Sequence, residues 1–260
     1  MNEELKEIYE LNNSLLQLAE NLQGELIKKP ITLSPDLGVL RFFFAKASKT
    51  AKAVVFLCQE GHPEDALVLV RTIFEIVVKS FYISKSDPIE RARAFILYDA
   101  LKKRKQFRKM AAWNRERMIE DREVEKALKK IEDECDTLEK DPQISRDTLM
   151  WPKKHLSELS KEVDLTWEYL TFYWISCLYT HTDIRSCMSF VSETDKGPSF
   201  DKKPDDKFTK NVLIYLSDFF IKIIQEFDCR FNLGYQNNIS ELKEKVEKFM
   251  HKQDNVGTGF

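Results

Sequence analysis

Glycine and proline are scarce in this chain, seven and eight of 260 residues. So few sites for tight turns exclude a fold of many short strands. Histidine is scarcer still, at four. His62, His155, His181 and His251 lie in separate segments and no HExxH or Glu-x-x-His occurs. A helical zinc or di-iron site therefore lacks its ligands, and no metal or other cofactor is expected. Glycine-rich phosphate loops are missing, and so is any sequence-marked serine or cysteine nucleophile. The five cysteines are widely spaced and show no CxxC, which excludes a zinc knuckle or a disulfide framework. Neither sign of charge dominates: 41 basic and 43 acidic residues leave a net charge of −2, so no global field points to nucleic acid or a membrane surface. Apolar runs fall short of a bilayer span of roughly 20 nearly uncharged residues. Segment 66–83 is broken by Arg71, Glu75 and Lys79, and segment 212–227 by Asp218, Lys222 and Glu226. The start, MNEELKEIYELNN, is acidic and amphipathic, unlike a secretory signal. The expectation is a cytoplasmic protein with no membrane partner.

What is present reads as helix. Hydrophobic residues make up 43% and aromatics 12%, enough for a packed core. Ser34-Pro35-Asp36 opens a helix that runs to about residue 60, where Gly61 is a left-handed stop. His62-Pro63-Glu64-Asp65 opens the next, and Asp87-Pro88-Ile89-Glu90 a third, with Glu90 at the capping-box position. Segment 115–140 is charged, with a thin seam at Met118, Val124, Leu128, Ile131 and Leu138. Asp141-Pro142 and Trp151-Pro152 mark a connector, a long aromatic helix spans about 164–192, and 193–206 is a polar loop. These spacings predict an all-α bundle of about eight or nine helices with no sheet. The expected organisation is an N-terminal amphipathic helix over 1–30, a core bundle over 31–232, a C-terminal helix over 233–252 and a disordered tail over 253–260. In the first helix Leu5, Ile8, Leu11, Leu15, Leu18 and Leu22 have the near-heptad spacing of a packed or dimerising helix.

Three groups of residues can carry chemistry. Arg71, Glu75 and Lys79 lie four apart, forming one stripe on an otherwise apolar helix. The stripe is either a solvated or internally paired structural feature, or it turns Arg71 and Glu75 into a polar cavity. In the aromatic helix His181 sits at the polar end with Asp183 and Arg185 close by, and Trp174, Cys177 and Arg185 share roughly its face. A neutral histidine serves as a general base and an adjacent arginine stabilises an anionic transition state; the structural alternative is a core histidine tied to a carbonyl or hydroxyl. Trp167, Tyr169, Phe172, Tyr173, Trp174, Leu178 and Tyr179 point all round this helix and predict that it is central. A small-molecule pocket lined by Trp174, Tyr179, Tyr82 and Arg71 is a further possibility. The third group is KKRKQFRK, in which Lys102, Lys103, Arg104, Lys105, Arg108 and Lys109 are basic, extended by Arg115 and Arg117 with Phe107 and Trp113 interleaved. Residues 79–130 hold sixteen basic and eight acidic side chains, so charge is segregated. Such a helix releases counterions from a phosphate backbone, unless it is a face paired with the acidic stretch IEDECDTLEKD that follows.

The Arg71/Glu75 helix running on to Tyr82, the run Arg91-Ala92-Arg93-Ala94-Phe95, Trp151 in the connector and an aromatic helix ending in Ser176 and His181 resemble, in that order, a bacterial helical family catalogued only as domain of unknown function 5677. It has no established activity, so the resemblance transfers no catalytic residue. More distantly the chain resembles HEPN helical bundles, many of them RNases with an Arg-x(4–6)-His motif. Here no arginine precedes a histidine at that spacing; His181-Thr-Asp183-Ile-Arg185 carries the two residue types in reverse order. The functional expectation is a helical bundle that binds RNA or another nucleic acid, RNase-like or defence-associated. In that reading His181 is the base, Arg185 or Arg71 the charge stabiliser, Glu75 a pocket partner and the basic helix the backbone clamp. The alternative is a non-enzymatic interaction module that forms a homodimer through the N-terminal helix.

Overall fold

The computed structural model describes residues 2–28, 33–140, 154–181, 183–200 and 206–254. Its elements are α1 (Glu3–Lys28), α2 (Pro35–Gln59), α3 (Pro63–Lys85), α4 (Pro88–Glu116), α5 (Arg122–Glu139), α6 (Leu156–Glu162), α7 (Thr166–Glu168), a π turn (Tyr169–Tyr173), α8 (Trp174–Thr180), a 3-10 turn (Ile184–Ser189), β1 (Ser192–Thr194), β2 (Gly197–Ser199), α9 (Asp206–Phe231) and α10 (Gln236–Asp254). Taking α7, the π turn and α8 as one continuous rod gives nine helices among the described residues, and the fold is all-α. The expectation of no sheet is corrected in one place. Ser192–Thr194 and Gly197–Ser199 pair as a short antiparallel hairpin, closed at Gly197, whose φ of 106° is open to glycine and costly for other residues. The connector prolines and residues 255–260 of the tail lie outside the described residues.

The chain divides into two compact units. The first comprises Met1–Thr32, Leu40–Tyr82 and Leu156–Phe260. Its core is built on α2, α3 and α9, where Phe44, Phe74, Phe219, Phe220 and Phe227 are fully buried and the Phe44 and Phe227 rings stack 3.8 Å apart. The heptad face of α1 is buried as well, Leu5, Ile8, Leu11, Leu15, Leu18 and Leu22 included, and Asn12 in that seam donates from Nδ2 to the α9 carbonyl of Leu213 at 3.2 Å. Between packing and dimerisation, the seam is used for packing: its leucines are already covered within the chain, so a second copy cannot dock on them. The α9–α10 corner turns through Asn232 and Gly234, both at positive φ, and the buried Asp228 carboxylate accepts from the Tyr235 amide at 3.0 Å.

The second unit comprises Leu33–Val39 and Ile83–His155 and is dominated by the α4–α5 hairpin. Ala111 clusters with Val124 and Leu128, Ala100 with Ile131 and Cys135, and Phe107 packs against both clusters. The 4,3,4,3 spacing of Val124, Leu128, Ile131, Cys135 and Leu138 keeps one face of α5 on its partner. Two local expectations are corrected. Met118 is not part of the seam; it lies in the α4–α5 turn at φ 53° and is 93% exposed. Asp87 stands at the α4 N-cap in a left-handed conformation (φ 45°, ψ 54°) and its side chain makes no cap hydrogen bond, so the Asp87 half of the expected capping box is missing.

Candidate functional site

Within the first unit the α7–α8 rod is peripheral, which corrects the expectation of a central helix. Its inner side carries Phe172, fully buried 4.8 Å from the Phe219 ring and 6.0 Å from that of Phe74, together with the buried Ser176. On its outer side Trp167 is 69%, Leu170 60% and Trp174 51% exposed. A chain aromatic on every side looks central when all its aromatics are assumed to be covered, and here both tryptophans are not. The π turn inserts one extra residue and shifts the phase of everything beyond it. The α-helix ends at Thr180; the His181 amide donates to the Cys177 carbonyl at 3.0 Å, the Asp183 amide closes the turn on Leu178, and only a short 3-10 segment follows. The single helix expected to reach residue 192 therefore stops at Thr180, twelve residues earlier.

The sequence-marked residues fall into separate groups. Arg71 is largely inside, its side chain 15% exposed. Its Nη2 donates to the Tyr173 hydroxyl at 2.8 Å, its guanidinium lies 4.7 Å from the centre of that ring, and Nε is 3.4 Å from Glu75 Oε1. Glu75 in turn faces Lys79 at 3.4 Å. Burial opposes the Arg71 cation, but the Tyr173 hydrogen bond and the nearby Tyr173, Cys177 and Glu75 outweigh it and hold its pKa above the ordinary value. Burial, then the Glu75 charge, raises the Tyr173 phenol, against a smaller lowering by Arg71. His181 is exposed at the helix end. Arg185 is exposed too, pairs with Asp183 at 3.4 Å, and lies 5.7 Å from the centre of the Trp174 ring. Asp183 is acidified first by the Arg185 amide hydrogen bond. No described hydrogen bond, ion pair or ring contact joins Arg71 or Glu75 to His181 or Arg185. Of the suggested pocket residues, Tyr82 is buried, Tyr179 packs 5.5 Å from Phe208 and Trp174 faces outward.

The basic helix is largely answered by its own hairpin partner. Arg104 bonds Glu139 at 2.8 Å, Arg108 bonds Glu132 at 2.7 Å and Arg115 lies 3.7 Å from Glu125, all on α5, while Lys103 pairs with Asp99 at 2.6 Å within α4. Among the described residues Lys105 and Lys109 meet no acid, and Lys102 lies over the Tyr98 ring at 4.4 Å. Leu101, Arg104, Lys105, Arg108, Lys109 and Ala112 line a 450 Å³ groove. A second cleft, 640 Å³, lies between α1 and α10 with Leu11, Leu242 and Phe249 inside and Glu7, Glu10, Lys245 and Lys248 at its rim. Among the described residues no group of three His, Cys, Asp or Glu is arranged to hold a metal, and no helix is long and apolar enough to cross a membrane.

Fold and surface thus define a helical bundle with half-buried ion pairs and an outward aromatic face. The chain belongs to the family of unknown function (DUF5677), which matches residues 37–198. No curated protein and no solved structure matches it.

Proposed function

We propose that this chain is a non-enzymatic interaction module that pairs with a second copy of itself through the outer face of the α7–α8 rod. The carrying observation is the joint exposure of Trp167, Leu170 and Trp174 on the rod, with Ile184 81% exposed just beyond it. Scattered exposed hydrophobics need no explanation, whereas two tryptophans with aliphatic neighbours and an arginine have the composition of an interface centre. Two tryptophans at this exposure present about 250 Å², and with Leu170 and Ile184 the face reaches roughly 500 Å² per copy. Two copies then bury on the order of 1,000 Å², the lower bound for a specific interface. Charge favours self-pairing: Arg185 is offset by Asp183, so identical faces meet without like-charge repulsion. The homodimer expected at the leucine seam thereby moves to this face. Sedimentation velocity from 1 to about 100 µM tests it: the chain should dimerise and Trp167→Ala/Trp174→Ala should stay monomeric, and a monomeric wild-type chain refutes the reading.

A second reading, nucleic-acid binding through α4, is favoured by Lys102, Lys105 and Lys109, which face no acid among the described residues. Neutralising these three should abolish any salt-dependent RNA binding; binding that persists assigns it elsewhere. The RNase-like version, with His181 as base and Arg185 or Arg71 as stabiliser, requires in addition that these groups come together on substrate.

A further inference from the structure

The outward face of α2 has no counterpart in the sequence expectations. Phe42 and Phe56 are 56% and 61% exposed, although the opposite face of the helix is deeply packed. Between them lie Lys46, Lys49 and Lys52, with Arg41 just before the first ring, and the one acid of α2, Asp36, is in the first turn, where it accepts from Ser34 at 2.5 Å. Lys52 pairs with Glu20 of α1. Arg41, Lys46 and Lys49 are exposed and meet no acid among the described residues. Seven-residue steps place Phe42, Lys49 and Phe56 along one line of the helix. At 1.5 Å per residue the two phenylalanine positions are about 21 Å apart along the axis, with Lys49 midway.

We infer that this strip binds single-stranded nucleic acid: the cations hold phosphates and the two rings receive bases. Aromatic platforms interleaved with unpaired cations along a line are the means by which proteins hold single strands without sequence preference. The strip is one helix wide, and Glu20 beside Lys52 closes one edge with negative charge. That geometry suits a linear polyanion and disfavours a planar anionic membrane. A second copy does not fit, because antiparallel pairing of two such helices sets Lys49 against its own equivalent. The inference goes beyond the self-pairing reading and is independent of it.

The test is fluorescence anisotropy of labelled 20-nucleotide oligo(U) and oligo(dT) with the full chain. Three cations at about 0.7 counterions each give a log–log salt slope near −2, roughly a fifteen-fold loss of affinity between 50 and 200 mM salt. Arg41→Gln/Lys46→Gln/Lys49→Gln should flatten the slope, whereas Phe42→Ala/Phe56→Ala should lower affinity about tenfold or more and leave the slope unchanged. All five side chains are exposed, so both variants should keep the wild-type circular dichroism spectrum. The assignment is overturned by absent binding at 50 mM salt, by an unchanged slope in the triple variant, by loss only on neutralising Lys102, Lys105 and Lys109, or by binding to phosphatidylserine vesicles in place of the oligonucleotides.

Discussion

Replacing Tyr173 by phenylalanine removes the one hydrogen-bond acceptor of Arg71 and leaves its packing in place. Arg71 Nη2 donates to Tyr173 Oη at 2.8 Å, while Nε and Nη1 are buried without any hydrogen-bond partner. A hydrogen bond to a charged group contributes about 1.5–3 kcal/mol, and a donor stranded in the interior keeps its desolvation cost. The Glu75 ion pair and the ring face survive the change, so a loss near 2 kcal/mol is expected, seen as a lower urea midpoint at constant m and a melting temperature reduced by about 4–8 °C. Arg71→Met is the informative companion. It removes the whole buried cation and fills the same space, which for buried ions is often neutral; Glu75 keeps Lys79 at 3.4 Å. The methionine variant should therefore cost less than about 1 kcal/mol, less than Tyr173→Phe. A methionine variant more damaging than the phenylalanine one refutes the purely structural account of Arg71, and so does a phenylalanine variant costing under about 0.5 kcal/mol.

Three further outcomes follow from the buried groups. Burial, then the Glu64 charge, pushes the Cys58 thiol up to about 12, and burial, then the Cys58 and Asp206 charges, does the same to the Tyr9 phenol. Both groups fold protonated, so their contribution is intact below pH 9 and is lost as the pH climbs from 9 towards 12, by at most about 1.4 kcal/mol per unit for each group; urea midpoints at pH 8, 9 and 10 should fall, and fall less in Cys58→Ala. Asn12 leaves its Oδ1 buried and unbonded, so Asn12→Leu should be neutral or stabilise by about 1 kcal/mol whereas Asn12→Asp, a buried charge, should cost several, both read from chemical denaturation. Phe44→Ala opens a cavity against the stacked Phe227 ring and should cost about 3–5 kcal/mol, measured the same way.

Helix starts and stops were legible because local chemistry sets them. Gly61 stands at φ 84° after α2, and Pro35, Pro63 and Pro88 each open a helix at its first position. The leucines of α1 revealed a buried face but not what covers it, since a heptad pattern reads the same against α9 as against another chain. The π turn was not legible, because it is a choice of backbone hydrogen bonds with no composition signal. That also hid the peripheral position of the aromatic rod. The α2 strip was masked by its own core residues: Phe43 and Phe44 are buried beside the exposed Phe42, so the run reads as uniformly apolar.

Charge counting along the chain misled most at the α4–α5 hairpin, and the reason is geometric. Arg104 and Glu139 are 35 positions apart, and Arg108 and Glu132 are 24 apart, so a window of the sequence scores their charges separately although the fold places them in contact. Each such exposed pair adds only about 0.2–1 kcal/mol to stability, yet each removes a cation from the field available to a polyanion. What survives on α4 is Lys102, Lys105 and Lys109. On α2, where only Lys52 meets an acid of a neighbouring helix among the described residues, Arg41, Lys46 and Lys49 survive although that helix carries fewer basic residues. Affinity for phosphate follows the unpaired cations and their spacing, and on that measure the two helices are equals despite their different compositions.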